Sequence, residues 1–383
     1  MAARLLTVYG TRPEAIKVAP LIRALEADGR FESVTAVTGQ HREMLDQVNE
    51  IFDIVPDFDL DVFAHGQGLN TLMAKLFEGL DPVLEKVRPD AVVVQGDTSS
   101  VAATAIASFY RQIPVVHLEA GLRSGDICSP FPEEANRKVT TQVASLHLAP
   151  TKTSKANLKL EGVDPSTIAV TGNTVIDALL HAVEHTLPFS DRGLAALESS
   201  RRPILLVTTH RRESWGTALD GVARALKRIA VGYPDHVIVL PAHRNPIVRD
   251  AVLPHLEGLE NVVVTEPLPY GEFIRLMNAA KMVLTDSGGV QEEAPSLGKP
   301  VLLMRDNTER PEAVEAGTVR LIGTDERRIV NEVSLLIDDP NHYRVMSNAV
   351  NPYGDGKAAD RSLAAIADRL GVGNRLPDFG VGA

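Results

Sequence analysis

The sequence predicts an α/β protein that contains two doubly wound parallel sheets. Short apolar runs of about five residues recur along the chain, and such runs are typical of strands that are buried on both faces. Each run is followed by a glycine or polar turn and then by a segment with the helical period. Alternating strands and helices imply right-handed crossovers between parallel strands. The number of runs exceeds what one core accommodates, so we expect two Rossmann-like domains.

The strand-like runs fall into two sets. Those of the first half cover residues 5–9, 34–38, 91–95, 113–118 and 146–149. Those of the second half cover residues 204–208, 237–241, 262–265, 282–285 and 301–304. Apolar residues at helical spacing predict one helix face made of Val18, Leu21, Ile22 and Leu25, and another made of Ile329, Val330, Val333, Leu336 and Ile337.

A weakly periodic stretch separates the two sets of runs. It lies between Thr186 and Pro203 and contains a Ser-Ser-Arg-Arg run. The sequence therefore predicts an N-terminal domain over residues 1–186 and a C-terminal domain over residues 203–357. The residues from Val372 onward are rich in glycine and lack a core pattern, which predicts a loose tail.

Composition and charge limit the class of protein. The 383 residues include 39 Lys and Arg against 50 Asp and Glu, which gives a formal net charge of −11. This balance argues against nucleic acid and anionic membranes as partners, because both favour a positive surface. Hydrophobic residues make up 44% and charged residues 23% of the chain, so a disordered or fibrous protein is excluded.

The number of cysteines and the lengths of the apolar runs indicate the cellular compartment in which we expect the protein. The single cysteine, Cys128, cannot form an internal disulfide, which fits the reducing cytoplasm. The opening apolar run is too short for a signal peptide, and no run is long enough for a membrane span. We therefore expect a cytoplasmic protein.

A glycine turn with two cations follows the first run. Gly10 permits a tight turn, and Arg12 and Lys17 place positive charge near a helix start, where backbone N–H groups favour anions. A plain turn with solvated basic side chains would have the same pattern. The sequence has no GxGxxG string, so the simplest dinucleotide fingerprint is missing and no cofactor is predicted.

Acidic residues follow the next runs of the first half. Asp97 comes after residues 91–95, Glu119 follows residues 113–118, and Glu133 and Glu134 come soon afterwards. Taken alone, Asp97 suits a helix N-cap and Glu134 a first-turn residue that favours the helix dipole. Acidic side chains that converge on one edge of a sheet favour a functional role, because clustered carboxylates tune each other's proton affinity.

Histidines follow two runs of the second half. His210 comes directly after residues 204–208 and beside two arginines, a setting that suits a phosphate or sugar contact. His243 has the same placement after the next run, and either residue alone also fits an ordinary loop histidine. No zinc-ligand spacing and no serine nucleophile elbow is present, so no metal site is predicted.

The strongest local pattern is a Ser-Gly-Gly turn, Ser287, Gly288 and Gly289, between a predicted strand and a predicted helix. The glycines let the backbone approach a diphosphate, and the helix N-terminus supplies N–H donors. Glu293 follows one helical turn later, at a spacing that suits the two hydroxyls of a ribose, and Arg310 adds a cation downstream. The pattern predicts a nucleotide-diphosphate site.

Several long strings resemble one protein family. They are GTRPEAIK at 10–17, GQHREMLDQ at 39–47, HLEAGLR at 117–123, PEEANR at 132–137, TGNTVIDA at 171–178 and THRRES at 209–214. In this order they resemble the bacterial non-hydrolysing UDP-N-acetylglucosamine 2-epimerases over nearly the whole chain. The resemblance implies a GT-B-like glycosyltransferase architecture, in which two domains face each other across a cleft and a C-terminal helix near 358–370 returns to the first domain. It also implies a UDP-sugar substrate and a homodimer.

The resemblance assigns roles to individual positions. The implied catalytic residues are Asp97, Glu119, Glu133 and His210, and the implied substrate-binding residues are Arg12, Lys17, Phe273, Ser287, Gly288, Gly289, Glu293 and Arg310. Gln40 and His41 match a second, regulatory substrate site of some relatives, although an arginine of that site is not evident around His65. Leu268 and Gln95 depart from the family pattern, where many relatives have glutamine and histidine.

The implied reaction inverts C2 of the sugar, a carbon with no adjacent carbonyl to acidify its proton. Transient oxidation at C3 by NAD is one route, and expulsion of UDP from C1 with removal of the C2 proton is the other. The missing dinucleotide fingerprint and the diphosphate site favour the second route, anti elimination through a 2-acetamidoglucal followed by re-addition. The product would serve bacterial polysaccharide or aminosugar biosynthesis. A hydrolysing epimerase, a UDP-sugar glycosyltransferase and a UDP-sugar sensor without turnover stay open as alternatives.

Overall fold

The computed structural model describes residues 2–39, 42–64, 66–185, 188–209, 217–308 and 310–380. The chain forms two compact units. Unit 1 comprises Met1–Leu180 and Tyr353–Ala383, and unit 2 comprises His181–Pro352. Each unit contains a parallel sheet and flanking helices, so the predicted α/β class with two Rossmann-like sheets is confirmed.

Unit 1 is built on one parallel sheet. Its strands are β1 Ala3–Tyr9, β2 Phe31–Val37, β3 Phe58–Asp59, β4 Ala91–Gln95, β5 Val115–Leu118, β6 Leu146–Ala149 and β7 Ile168–Val170. Its helices before the second unit are α1 Arg12–Ala27, α2 Arg42–Ile51, α3 Leu69–Val87, α4 Ser99–Tyr110, α5 Glu133–Val143, α6 Lys152–Leu160 and α7 Thr174–Glu184. The strand order is β3-β2-β1-β4-β5-β6-β7. The order reverses between β1 and β4, and in such sheets ligands bind beyond the strand ends at this switch point.

Unit 2 has the same kind of sheet. Its strands are β8 Ile204–Thr208, β9 Val237–Pro241, β10 Val262–Thr265, β11 Met282–Thr285, β12 Val301–Leu303 and β13 Val319–Leu321, in the order β10-β9-β8-β11-β12-β13. Its helices are α8 Arg192–Ser200, α9 Thr217–Gly232, α10 Pro246–Leu256, α11 Tyr270–Ala279, α12 Gly288–Ser296, α13 Pro311–Glu315, α14 Glu326–Asp338 and α15 Pro340–Ser347. The switch point lies between β8 and β11.

The last helix, α16 Ala358–Arg369, belongs to unit 1 and packs against α1. Its N-terminus is held by Asp177 of α7, whose carboxylate accepts the backbone N–H groups of Ala358 at 3.2 Å and Ala359 at 2.8 Å. Burial raises the pKa of Asp177 to about 6. None of the helices in the described part of the chain has the length and hydropathy that crossing a membrane requires.

The predicted apolar helix faces form the cores. Val18, Leu21, Ile22 and Leu25 of α1 are all buried. In α14, Ile329, Val333 and Leu336 are buried in the core of unit 2, and the two other predicted residues of that face, Val330 and Ile337, pack against it partly buried. The strands at the switch points are buried along almost their whole length, as continuous apolar runs predict.

Three short strands, β3, β7 and β13, are not among the predicted runs. Each lies at the end of its sheet and has two or three residues. β13 includes a charged residue, Arg320, which pairs with Glu332 of α14 at 2.5 Å. A strand this short, with charge on one side, has too few apolar residues to show a periodic pattern.

The prediction of a loose tail from Val372 is wrong for the described residues up to 380. The Phe379 N–H donates to the Val170 carbonyl at 2.7 Å, and the Asp378 carboxylate accepts the Val170 N–H at 3.2 Å. Asp378 also pairs with Lys155 at 2.8 Å. Polar contacts rather than an apolar face therefore hold the tail along β7, and such contacts leave no periodic pattern in the sequence.

Candidate functional site

The candidate acidic residues of unit 1 follow neighbouring strands, Asp97 after β4 at the switch point and Glu119 after β5 beside it. Gln95, the last residue of β4, pairs in register with Leu118, the last residue of β5. The chain then turns through positive φ at Gly96 (79°) and at Glu119 (64°). A positive φ is uncommon for glutamate and indicates a constrained backbone, as is frequent at functional sites. Asp97 and Glu119 therefore leave the same edge of the sheet.

Among the predicted acids, Glu119 contacts the largest number of polar side chains in the described part of the chain. Its Oε1 pairs with the Lys17 ammonium and accepts the Asn173 Nδ2–H at 3.1 Å, and its Oε2 accepts the Gln95 Nε2–H. The Glu119 side chain is 7% exposed. The structure thus brings together two predicted residues, Lys17 and Glu119, with two amides that were not predicted as site residues.

Asp97 is held from one side by helix α5. Arg137 donates to its Oδ2 through Nε at 2.9 Å and through the guanidinium terminus at 2.7 Å. Asn136 Nδ2 donates to the Asp97 carbonyl at 2.9 Å. Within the described residues the Oδ1 atom has no hydrogen-bond partner, and the side chain is 29% exposed. One oxygen is anchored and the other is open for a proton transfer.

Arg137 joins Asp97 to a second, fully buried carboxylate. Glu134 pairs with Arg137 at 2.5 Å and accepts the Ser124 N–H at 3.2 Å. Burial lowers the pKa of Arg137, but the two carboxylates outweigh burial and raise it overall. Glu134 does lie in the first turn of α5, yet its strongest partner is this arginine. The helix N-cap after β4 is Thr98, which accepts the Val101 N–H at 3.3 Å, so Asp97 does not have that role.

Glu133 and Arg12 are half-buried. Glu133 is the first residue of α5, and Arg12 is the first residue of α1. In the described part of the chain, neither side chain makes a hydrogen bond or an ion pair. A carboxylate and a guanidinium that have no partner among the described residues are both available to a ligand.

Two buried side chains support the turns of unit 1. His117 of β5 is fully buried, burial lowers its pKa to about 3, and its Nε2–H donates to the Gly96 carbonyl at 2.7 Å. Glu14 is also buried, which raises its pKa, and it accepts the N–H groups of Gly10 at 3.0 Å and Thr11 at 2.6 Å. The Thr98 hydroxyl donates to Glu14 at 2.7 Å. These bonds fix the turns after β1, β4 and β5 relative to one another.

The predicted glycine turn of unit 2 lies where β11 meets α12. Ser287 is the N-cap of α12 in an extended conformation, and its side chain makes no capping hydrogen bond. Its N–H donates to the Thr285 hydroxyl at 2.9 Å. A β-carbon on Gly289 would lie 3.2 Å from Glu293 Oε1, so glycine keeps this carboxylate close to the helix start. The first N–H groups of α12 have no helical acceptor and favour an anion.

Arg310 is held beside the same helix. It pairs with Glu292, whose side chain is 4% exposed, and its N–H donates to the Thr308 hydroxyl at 3.1 Å. Thr308 in turn donates to Gln291 at 2.7 Å, and Gln291 Nε2 donates to the Ser287 carbonyl at 3.0 Å. The network connects Arg310 to the glycine turn.

The remaining predicted residues are placed as follows. Phe273 is half-buried in the first turns of α11, close in sequence to the half-buried Leu268. His210, Gln40 and His41 lie outside the described residues. Within the described ranges, no group of three or more His, Cys, Asp and Glu side chains is arranged to hold a metal ion.

Comparison with known proteins identifies the family. The family model described as UDP-N-acetylglucosamine 2-epimerase matches residues 23–367. The UDP-N-acetylglucosamine 2-epimerase of Escherichia coli (strain K12) is 53% identical over 369 residues, which are 95% of this chain and 98% of that protein. This chain belongs to the UDP-N-acetylglucosamine 2-epimerase family.

Solved structures of UDP-N-acetylglucosamine 2-epimerases are also similar to this chain. A putative member from Listeria monocytogenes is 44% identical, with a TM-score of 0.93 and full coverage of both chains. The Neisseria meningitidis enzyme, in a structure bound to UDP-GlcNAc, is 42% identical with a TM-score of 0.84, covering 95% of this chain and 100% of that one. The predicted resemblance to the non-hydrolysing bacterial members is confirmed, and the chain is an isomerase of UDP-GlcNAc.

Sequence reasoning missed the residues that orient the acids in this epimerase. Arg137 and Asn173 lie inside the strings that carry the resemblance, and Gln95 differs from the residue that many relatives have at its position. Spacing offers one signal, because Arg137 follows Glu134 by three residues on a helix, where opposite charges meet. Asn173 follows β7, a strand too short to be predicted, so nothing in the pattern placed it at the same sheet edge.

Proposed function

We propose that this chain interconverts UDP-N-acetylglucosamine and UDP-N-acetylmannosamine by anti elimination of UDP and re-addition to a 2-acetamidoglucal. The observation that carries the proposal is the pair of carboxylates at one edge of the unit 1 sheet, Asp97 and Glu119, each anchored by its own cation. An inversion that removes and returns a proton requires such groups near C2. The half-buried Glu133 is the third candidate for proton transfer.

Unit 2 would bind the UDP group. The N–H groups at the start of α12, from Ser287 through Gly289, favour the diphosphate, and Arg310 adds a fixed positive charge. Glu293 would accept the ribose hydroxyls, and the Phe273 ring would lie near the base. The Neisseria meningitidis relative is described as bound to UDP-GlcNAc, which supports the same substrate here.

The elimination step balances without another reactant. A carboxylate takes the C2 proton, the C2–H electron pair forms the C1=C2 bond, and the C1–O bond breaks with its electrons on UDP. Re-addition reverses these changes, with a proton delivered to the opposite face of C2. Arg12, Arg310 and His210 would stabilise the charge that develops on the diphosphate. Asp97 Oδ1 is the atom best placed to take or return a proton, because Arg137 already occupies Oδ2.

The remaining parts of the proposal follow from the family and from composition. We propose a homodimer in the cytoplasm, without a cofactor, that supplies an activated aminosugar for bacterial polysaccharide or aminosugar biosynthesis. Gln40 and His41 would form a regulatory substrate site. Size measurement in solution and the dependence of rate on UDP-GlcNAc concentration test the dimer and the regulatory site.

Incubation with UDP-GlcNAc alone, followed by NMR, tests the proposed function. The expected result is a mixture of UDP-GlcNAc and UDP-ManNAc with no free sugar accumulating on the time scale of epimerisation. Stoichiometric release of N-acetylmannosamine and UDP would establish a hydrolysing enzyme instead. Unchanged UDP-GlcNAc would favour a glycosyltransferase or a sensor and would overturn the proposal.

Replacement of Asp97 tests its role in proton transfer. Asp97→Asn is expected to lower kcat by about two orders of magnitude or more, the range for a lost acid or base. A matched control is Asp325→Asn, which makes the same change at the exposed N-cap of α14, where the carboxylate accepts only the Arg328 N–H at 2.9 Å among the described residues. Near-normal turnover of Asp97→Asn would remove this residue from the mechanism.

A further inference from the structure

Glu119 receives hydrogen bonds from three different segments of unit 1. Lys17 comes from α1, Gln95 ends β4, and Asn173 directly precedes α7. The lysine alone balances the charge of the carboxylate, so the two neutral amides are not needed for charge balance. We infer that Gln95 and Asn173 are positioning residues that keep the Glu119 carboxylate ionised and in a single orientation for the reaction. This inference rests on the proposed function, in which Glu119 acts at the substrate.

The orientation of the Asn173 amide follows from its backbone partner. Its Oδ1 accepts the Val175 N–H at 3.1 Å, the position of a helix N-cap bond, so Nδ2 must point the other way, to Glu119 Oε1. The Asn173 N–H also donates to the Tyr353 carbonyl at 2.7 Å, and the residue is 3% exposed. One side chain therefore caps α7 and holds the carboxylate.

Gln95 fixes the second oxygen of the same carboxylate. It is 2% exposed at the end of β4, and its Nε2 donates to Glu119 Oε2. This oxygen lies 3.6 Å from the place that a β-carbon on Gly96 would occupy, so the carboxylate packs closely against the turn. With Asn173 on Oε1 and Gln95 on Oε2, the carboxyl plane is held at both oxygens.

Charged neighbours bear on the protonation of Glu119. Lys17 is its cationic partner, and His117 of β5 also interacts with its charge. Burial lowers the pKa of His117 to about 3, so this histidine is neutral in the working range. Gln95 and Asn173 contact Glu119 directly, so a change in the acid limb of the pH profile after substitution of either residue would report on Glu119.

Two substitutions at Asn173 separate its two roles. Asn173→Asp keeps a good N-cap for α7 but places a second carboxylate against Glu119, which disfavours the ionised form. We expect the acid limb of the kcat profile to move to higher pH by about one unit or more. Asn173→Ser keeps a cap and loses the donor, and we expect kcat to fall about ten- to hundredfold, the range for a lost hydrogen bond to a charged group, with little change in KM.

Gln95 offers an independent pair of variants. Gln95→Met keeps the size of the side chain and removes the donor, so kcat should fall while KM stays nearly constant. Gln95→Glu places a carboxylate against Glu119 Oε2 and should shift the acid limb upward, as Asn173→Asp does. If all four variants keep the wild-type pH profile and kcat, the positioning role is wrong.

Controls distinguish this inference from a structural effect and from the proposed function itself. Asn157→Asp makes the same change in unit 1 at an amide that donates at 3.0 Å to the Gly121 carbonyl, and it should leave the pH profile unmoved. Thermal unfolding of each variant shows whether the fold is kept. If Glu119→Gln abolishes turnover while the Asn173 and Gln95 variants behave as wild type, only the inference fails. If Glu119→Gln is fully active, the proposed role of Glu119 fails.

Discussion

Arg137 contributes to both the stability and the activity of unit 1, and substitutions at Arg137 and Glu134 can distinguish the two effects. Its guanidinium pairs with Glu134, which is fully buried, and with Asp97, which is partly exposed. Arg137→Met would leave the Glu134 carboxylate buried with only the Ser124 N–H as a donor among the described residues. Removing one partner of a buried pair destabilises a protein by about 3–5 kcal/mol, because the remaining charge is uncompensated. We expect a loss of this size in the free energy of unfolding.

A second substitution should restore most of this loss. In Arg137→Met with Glu134→Gln, the buried charge is gone, and the glutamine oxygen still accepts the Ser124 N–H. The unpaired Asp97 is partly exposed to solvent, so its lost ion pair contributes only about 1 kcal/mol. The double variant should therefore lie within about 1–2 kcal/mol of the wild type.

The double variant should regain stability but not activity. In the double variant Asp97 Oδ2 has lost the donors that anchor it, and we expect kcat to stay about ten- to hundredfold below the wild type. Urea unfolding followed by circular dichroism measures the stability, and NMR of the UDP-sugar mixture measures the rate. A double variant that is as unstable as Arg137→Met would refute the buried-charge argument. Wild-type turnover in the double variant would show that Asp97 needs no anchor.

Three further predictions follow from particular contacts. Burial raises the pKa of Asp177 to about 6 from an unfolded value near 3.8, so the folded state binds this proton more tightly and stability falls as the pH rises from 4 to 6. The shift corresponds to about 3 kcal/mol in the free energy of unfolding. Urea unfolding of Asp177→Asn at several pH values should lack this part of the pH dependence. If the variant keeps the wild-type pH dependence, the prediction for Asp177 is contradicted. Gly289→Ala should weaken UDP binding about tenfold in calorimetry by displacing Glu293, without loss of stability, since alanine favours a helix. Asp378→Ala should lower the free energy of unfolding by about 2 kcal/mol, because it removes charged hydrogen bonds and the acceptor for Val170; an unchanged thermal midpoint would show that the tail is not held there.

The predictable part of the fold is the part that apolar burial determines. The strands at the switch points are continuous apolar runs, and β4, β8 and β11 have the bounds that the sequence predicts. The tail escaped prediction because Asp378 and Phe379 hold it through a carboxylate and a backbone bond. Such contacts depend on where β7 lies in space, which the local sequence does not encode.

The candidate site likewise contains residues that the sequence predicts and residues that it does not. Residues at strand ends, such as Asp97 and Glu119, were predicted because the carboxyl ends of parallel strands share one edge. The side chains that orient them, Arg137, Gln95 and Asn173, come from a helix, a strand and a loop that are distant in sequence. Their common role is visible only from the hydrogen bonds that converge on the two carboxylates.

Epimerisation in D2O tests the central claim most directly. If a carboxylate of unit 1 removes the C2 proton and solvent supplies its replacement, both UDP-sugars recovered at equilibrium should carry deuterium at C2, seen as loss of that resonance in the proton NMR spectrum. Products that keep the original hydrogen at C2 after many turnovers would contradict proton abstraction and, with it, the elimination of UDP.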